Sequence, residues 1–183
     1  MLVLTLVNLI VRLLPQAVAA LHLIPAAEAA VIKMIRSADY KDTKIIIDLL
    51  TKFLEETSYR QAHNGRDNFE NLAKLVWTVQ QHGYIWLAFR DQQAVGCLLA
   101  VKQPNMWAPN CRELRELVWY ILPEYRNSIL GGRLFKKYCE KGEELLENGT
   151  IQGYFTTRMT TTDDINLSRR GFKLVEQTYL KEQ

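Results

Sequence analysis

The sequence predicts a mixed α/β (α+β) domain in which helices lie on a mostly antiparallel sheet. Two segments carry apolar residues at helical spacing, and two apolar runs joined by a short polar link follow them. A strand-like run then stops at a proline and gives way to a third helical pattern. The predicted order is β, α, α, β, β, β, α, β, α, β, with no internal repeat and no low-complexity linker.

Residues 34–37 predict a first strand, and Asp39 supplies an oxygen suited to capping a helix whose stripe is Ile46, Ile47, Leu49, Leu50, Phe53 and Leu54. That helix should end near Thr57. SYRQAHNGRDN reads as a loop, and Phe69, Leu72, Leu75, Val76 and Val79 mark a second helix facing the core, closed by His82 and Gly83. YIWLAF (84–89) and AVGCLLAVK (94–102), linked by Arg90, Asp91, Gln92 and Gln93, read as a hairpin. Past Pro104 and Pro109, RELRELVWYIL (112–122) has the β-branched and aromatic enrichment of a buried strand until Pro123 stops it. Leu130, Leu134, Tyr138 and Leu145 set the third helix, which ends at Asn148 and Gly149. A strand at TIQGYFTTR, a short helix over 163–170 and a last strand at FKLVEQTYLK complete the prediction.

Residues 1–33 read as an apolar extension, followed by a domain at 34–183. The run before Arg12 is half of the ~20 residues needed to cross a bilayer, and AEAA resembles a cleavage site with no basic region before the apolar run. MIRSADYKD, from Met34, looks like the start of an independent domain. An extension or an upstream start ranks first, an amphipathic tail packed on the domain second, and a cleaved signal third. Membrane attachment would have to go through residues 1–33.

With 48% hydrophobic and 23% charged residues, composition argues against disorder and against a membrane bundle. A net charge of +3 does not by itself argue for nucleic acid. Cys97, Cys111 and Cys139 are widely spaced, as in a reducing cytoplasm, and His22, His63 and His82 are isolated, so no metal is expected.

The segment ELRELVWYILPEYRNSILGGRLF is a strand, a proline, then an arginine and two glycines opening a helix. Amides at a helix N-terminus have no partner within the helix and carry partial positive charge, so a phosphate binds there readily. Gly131 and Gly132 allow close approach, and Arg126 can add a charged donor.

This turn resembles the pyrophosphate loop of the GNAT superfamily of N-acetyltransferases, Arg or Gln, two residues, Gly, one residue, Gly or Ala, often after Pro-x-Tyr-Arg. Here it reads Pro123, Glu124, Tyr125, Arg126, Asn127, Ser128, Ile129, Leu130, Gly131, with Ile129 in place of the first glycine. Arg170, Gly171, Phe172 and Lys173, then Glu176, Tyr179, Leu180 and Lys181, resemble the end of such domains, and the likeness spans about residues 34–181. The wording ELVWYILPEYRNS is also similar to GNAT proteins of phages and prophages, which would place the protein in a host cytoplasm.

The resemblance implies acetyl-CoA as co-substrate, with pantetheine along the backbone of residues 118–122, including Ile121 and Leu122. Its pyrophosphate would sit on the amides of Arg126, Asn127, Ser128, Ile129, Leu130, Gly131 and Gly132. It implies a primary amine of a small molecule or protein as acceptor, and pairing of two copies is common among relatives. By position Glu116 is the base, sharing a strand face with Val118 and Tyr120, while Leu117, Trp119 and Ile121 share the other. The alternative is that Glu113 and Glu116 are solvated charges among Arg112 and Arg115. Leu167 stands where the family's usual tyrosine acid would be, which leaves another tyrosine, Ser168 or solvent to protonate the thiolate. Tyr59, His63, Arg66 and Trp77 fall near the acceptor wall; taken singly, Trp77 reads as core and the others as solvated.

Ile129, Leu167 and the apolar extension favour a second reading, a non-catalytic GNAT-fold interaction or phage accessory protein. A third, nucleic-acid binding through Arg112, Arg115, Arg126, Arg133, Lys136 and Lys137, loses ground because an anionic cofactor explains the same charges.

Overall fold

β1, Ile35–Ser37, leads into the first helix through an ion pair. In the computed structural model, which describes residues 35–57, 69–158 and 165–177, Arg36 bonds both carboxylate oxygens of Asp42 at 2.7 Å. Asp42 in turn accepts the Asp39 N–H at 2.8 Å, while the Asp39 side chain caps a 3₁₀ turn at Tyr40–Asp42. The predicted cap therefore serves this turn, and the helix proper, α1, is Thr43–Glu56.

Burial explains the stripes. Ile46, Ile47, Leu49 and Leu50 of α1 are buried, as are Val76 and Val79 of α2, Phe69–His82. Phe69 and Leu75, expected in the core stripe, are exposed, and so is Trp77, 59% accessible, which overturns its reading as core.

The sheet order is β1-β2-β3-β4-β5. β2 (Gly83–Arg90) and β3 (Gln93–Pro104) form the expected hairpin, and Asp91 and Gln92 both take positive φ at its two-residue turn, as an I′-type connection requires. Six consecutive residues of β3, 95–100, are buried, as befits a central strand covered on both faces. β4, Arg112–Ile121, pairs antiparallel with β3, and β5, Gly153–Phe155, pairs parallel with β4. A parallel pair needs a crossover, here helix α3, Leu130–Glu147, whose Leu130, Leu134, Phe135, Tyr138 and Leu145 are buried. Gly149, at φ 72, turns the chain after α3.

Trp119 and Tyr120, neighbours on β4, show which helix covers which face. Tyr120 meets Phe53 of α1 edge-on at 5.8 Å, and Trp119 stacks on Phe135 of α3 at 4.6 Å. Adjacent strand residues point to opposite faces, so α1 and α3 lie on opposite sides of the sheet.

The C-terminal part departs from expectation. The strand predicted at TIQGYFTTR shrinks to Gly153–Phe155, and the short helix is one 3₁₀ turn, Leu167–Arg170, capped by Asn166. In the predicted last strand, residues 172–177 form no strand; Leu174 and Val175 are exposed, and only Phe172 packs inward, on Tyr154 and Phe135. A strand-like composition does not by itself make a strand, because β-propensity depends on the packing context. Residues 1–34 and 178–183 lie outside the described residues. Among the described residues no helix is long and apolar enough to cross a membrane.

Two glycines should respond oppositely to alanine. A Cβ on Gly96 would stand 2.3 Å from the Ile121 side chain and 2.6 Å from the Tyr120 carbonyl oxygen, whereas one on Gly132 would meet nothing within 4 Å. Gly96→Ala is expected to cost about 1–3 kcal/mol through overpacking. Gly132→Ala should raise the stability of the ligand-free protein by up to about 1 kcal/mol, because Gly132 is in α3, alanine is the better helix former and the added methyl meets nothing. Urea unfolding of both variants checks this.

Candidate active site where two strands diverge

β4 and β5 pair only from Glu113 opposite Gly153 to Arg115 opposite Phe155. Beyond that point β4 continues to Ile121 while the chain after Phe155 leaves the sheet. The Tyr138 hydroxyl of α3 closes the apex, directed at the carbonyls of Leu114 on one strand and Phe155 on the other.

Glu116 is the first β4 residue past the apex. It is 8% accessible, and its Oε2 accepts the Thr156 hydroxyl and the Thr157 N–H, each at 3.0 Å. Glu113 is buried too, holding Gln103, Asn105 and Arg115. Burial alone would raise its pKa, but these bonds hold it below the usual carboxylate value. Neither glutamate is a solvated strand-end charge. For Glu116 burial wins: its pKa is pushed up to about 7, with the Thr157 and Thr156 bonds pulling in the other direction.

A β-bulge decides where Glu116 faces. Leu99 pairs with Val118 and Ala100 with Glu116, so Leu117 is an extra residue in β4. Regular alternation would put Glu116 with Val118 and Tyr120. Instead Glu116 acts electrostatically on Tyr138 of α3, the helix on which Trp119 stacks, while Tyr120 faces α1. The expected face-sharing is therefore overturned, because one inserted residue reverses the side of everything beyond it.

Past the bulge, Leu122 N–H donates to Val95 O at 2.9 Å on the β3 side. Alternation of ladder bonds then turns the backbone groups of Trp119 and Ile121 toward the open edge. This edge runs into the sequence-identified turn: a 3₁₀ turn at Pro123–Tyr125, then Arg126, Asn127, Ser128 and Ile129, then α3. Ile129 is the N-cap of α3 and offers no side-chain cap; the Ser128 hydroxyl reaches Leu130 N–H at only 3.4 Å. The N–H groups of Gly131 and Gly132 fall in the first turn of α3, where no intrahelical acceptor exists. Ile129, in the place of the motif's first glycine, is exposed.

Arg126 is engaged elsewhere. It donates to Ile121 O at 3.0 Å and pairs with Glu56, the last residue of α1, which also accepts the Tyr120 hydroxyl. The guanidinium lies 5.7 Å from the centre of the Tyr120 ring. Leu122 is buried, and Asn127 and Gly132 are exposed. Glu116 and the turn thus lie at the two ends of one open strand edge. Leu167 is half-buried against the core, and Ser168 donates to Asn166 at 2.6 Å. Tyr59, His63 and Arg66 lie outside the described residues.

Sequence reasoning did not single out Thr156, Thr157, Tyr138 or Glu56 as site residues. The only signal for the threonines is that two hydroxyl residues directly follow the apolar Tyr154 and Phe155. Glu56 had a subtler one, since an acidic residue at a helix C-terminus opposes the dipole and needs a partner.

The sheet that opens at its fourth strand onto the N-terminus of α3 lies within the stretch of sequence that matches a known family. The Acetyltransferase (GNAT) family model matches residues 47–172. The chain belongs to that family. No curated protein matches it. Among solved structures, a "predicted acetyltransferase with acetyl-CoA" from Clostridium acetobutylicum is similar at TM-score 0.58 and 13% identity, covering 81% of this chain and 94% of that one. An aminoglycoside acetyltransferase from an uncultured soil metagenomic sample, in complex with trehalose, is similar at 0.56 and 15%, covering 81% and 95%. A ribosomal-protein-alanine N-acetyltransferase from Brucella melitensis is similar at 0.53 and 15%, covering 81% and 99%. At such identities these likenesses show the fold.

The raised pKa of Glu116 has a sign that can be tested. The native protein holds this proton from an ordinary value of 4.5 up to about 7, an interval in which the unfolded chain has released it. Stability should therefore fall as pH rises through that window, by at most about 3 kcal/mol, and stay lower above it. Glu116→Gln should remove this component, so the variant gains on the parent between pH 5 and pH 8 in urea titrations.

Proposed function

We propose that this protein is an acetyl-CoA-dependent N-acetyltransferase that transfers an acetyl group to a primary amine of a small molecule or protein. The observation that carries the proposal is the single open edge joining a buried glutamate of raised pKa to an uncapped helix N-terminus. A catalytic base works best with a pKa near the operating pH, and an anion is best held by free helix amides.

The residues suit acetyl-CoA. The amides of Gly131 and Gly132 meet the pyrophosphate, and the outward backbone groups of Trp119 and Ile121 hydrogen-bond the pantetheine amides. Acetyl-CoA supplies the acyl group already activated as a thioester. Glu116 takes the proton of the acceptor ammonium or amine, directly or through water, and the apolar surroundings that raise its pKa keep that proton transfer close to balanced. The leaving thiolate takes its proton from another tyrosine, from Ser168 or from solvent, because Leu167 offers none.

Excess acetyl-CoA should raise the thermal midpoint of the full-length protein, a ligand at a hundred times its Kd adding about 2.7 kcal/mol. A Cβ at Gly131 would make only ordinary contacts, the nearest 3.6 Å from Ile121. Gly131→Glu should therefore fold and yet abolish the rise by placing a carboxylate against the pyrophosphate, and Arg126→Ala should reduce it. Against a panel of primary amines, Glu116→Gln should lower kcat by about 10²- to 10⁴-fold at neutral pH while keeping the acetyl-CoA shift. A parent protein with no shift at millimolar acetyl-CoA would instead support the non-catalytic reading that Leu167 favours.

A further inference from the structure

Glu116 is a buried carboxylate that has lost its neighbouring strand. One residue earlier, Arg115 still pairs with Phe155; at Glu116 the ladder ends. Burying an ionised carboxylate without hydrogen-bond donors costs several kcal/mol, and here the Thr156 and Thr157 donors come from the departing segment. The Thr156 hydroxyl and the Thr157 N–H converge on the same oxygen, Oε2, at 3.0 Å each. The side chain thus bridges the gap that the backbone ladder no longer spans.

We infer that Thr156 is a positioning residue. Its hydroxyl, beside the Thr157 amide, fixes the Glu116 carboxylate across the mouth of the splay in the orientation that takes the acceptor's proton. The inference rests on the reading of Glu116 as the base.

The surroundings make this hydroxyl the adjustable element. On β4, Arg115 and Glu113 are bonded to each other, and Glu113 also holds Gln103 and Asn105. On α3, the Tyr138 hydroxyl is directed at Leu114 O and Phe155 O, and burial pushes its own pKa up so that it stays neutral. On β3, Ala100 stands opposite Glu116, and Lys102 two residues on lies over the Tyr84 ring. Arg158, next after Thr157, has interactions of its own. Burial raises the pKa of Glu116, and the Thr157 and Thr156 donors oppose it. The Thr157 donor is backbone and survives any side-chain change; the Thr156 donor does not. A hydroxyl donating to a carboxylate favours its ionised form, so removing it makes Glu116 hold its proton to higher pH.

The test compares the full-length parent with Thr156→Val, Thr156→Ser and Glu116→Gln. The Glu116 carboxyl is followed by carbon NMR of glutamate-labelled protein, its signal assigned by loss in Glu116→Gln. The pH dependence of acetyl transfer to a primary amine accepted by the parent is followed in parallel. Thr156→Val is expected to move the Glu116 titration upward by about one pH unit, the worth of one hydrogen bond to a charged group. The acid limb of kcat/KM should move with it, lowering the rate at pH 6 about tenfold with an unchanged KM for acetyl-CoA, and Thr156→Ser should restore both. A Glu116 titration that stays in place in Thr156→Val overturns the inference, and so does a rate loss equal at all pH values. If the titration moves while the rate profile does not, or if Glu116→Gln keeps the acid limb, Glu116 is not the base, and the reading beneath the inference fails separately.

Discussion

The parting of β4 from β5 after Arg115 and Phe155 is the constraint on which the rest of the structure depends. A strand that loses its neighbour leaves N–H and C=O groups without ladder partners, and these are the groups an extended amide-bearing ligand can satisfy. The same parting leaves Glu116 facing a gap instead of a strand, so that Thr156 and Thr157 must supply its donors from across it. Tyr138, reaching from α3 to a carbonyl on each strand, marks where pairing stops. Binding edge and buried carboxylate are thus two consequences of one divergence.

The bulge at Leu117 coordinates them. Without the extra residue, Glu116 would lie on the Tyr120 face under α1, away from Tyr138. With it, Glu116 faces the α3 side while Tyr120 still reaches Phe53 and Glu56 of α1. Glu56 then pairs with Arg126, which also holds Ile121 O. The last turn of α1, the end of β4 and the turn before α3 are thereby joined through three side chains, with Arg126 as a strut of the turn. On the proposed reading an anion would be held first by the amides of α3, which need no rearrangement to be available.

Legibility in the sequence followed the range of the interactions. α1, α2 and α3 and the β2–β3 hairpin were readable because their apolar spacing and turn residues are local, and the strand-to-helix turn because proline, arginine and paired glycines occupy neighbouring positions. The C-terminal prediction failed for the complementary reason. FKLVEQTYLK has the composition of a strand, yet residues 172–177 pair with no strand, and among them only Phe172 gains burial. Trp77 was misjudged because a helix stripe can be read to one residue only if the face of its partner is known.

What the sequence determined by itself was the three long helices, the β2–β3 hairpin and β4 in their order, the backbone course of the turn at 126–132 and the candidacy of Glu116, since each rests on side-chain periodicity or on backbone chemistry within a few residues. Only the tertiary structure decided that Glu116 is buried and holds its proton near neutral pH, that it faces α3, and that Thr156 and Thr157, forty residues away, are its donors. A pKa is set by desolvation and by donors brought together from distant segments. The direction of a strand residue past a bulge depends on the register of its partner, and neither quantity is written in any local stretch of chain.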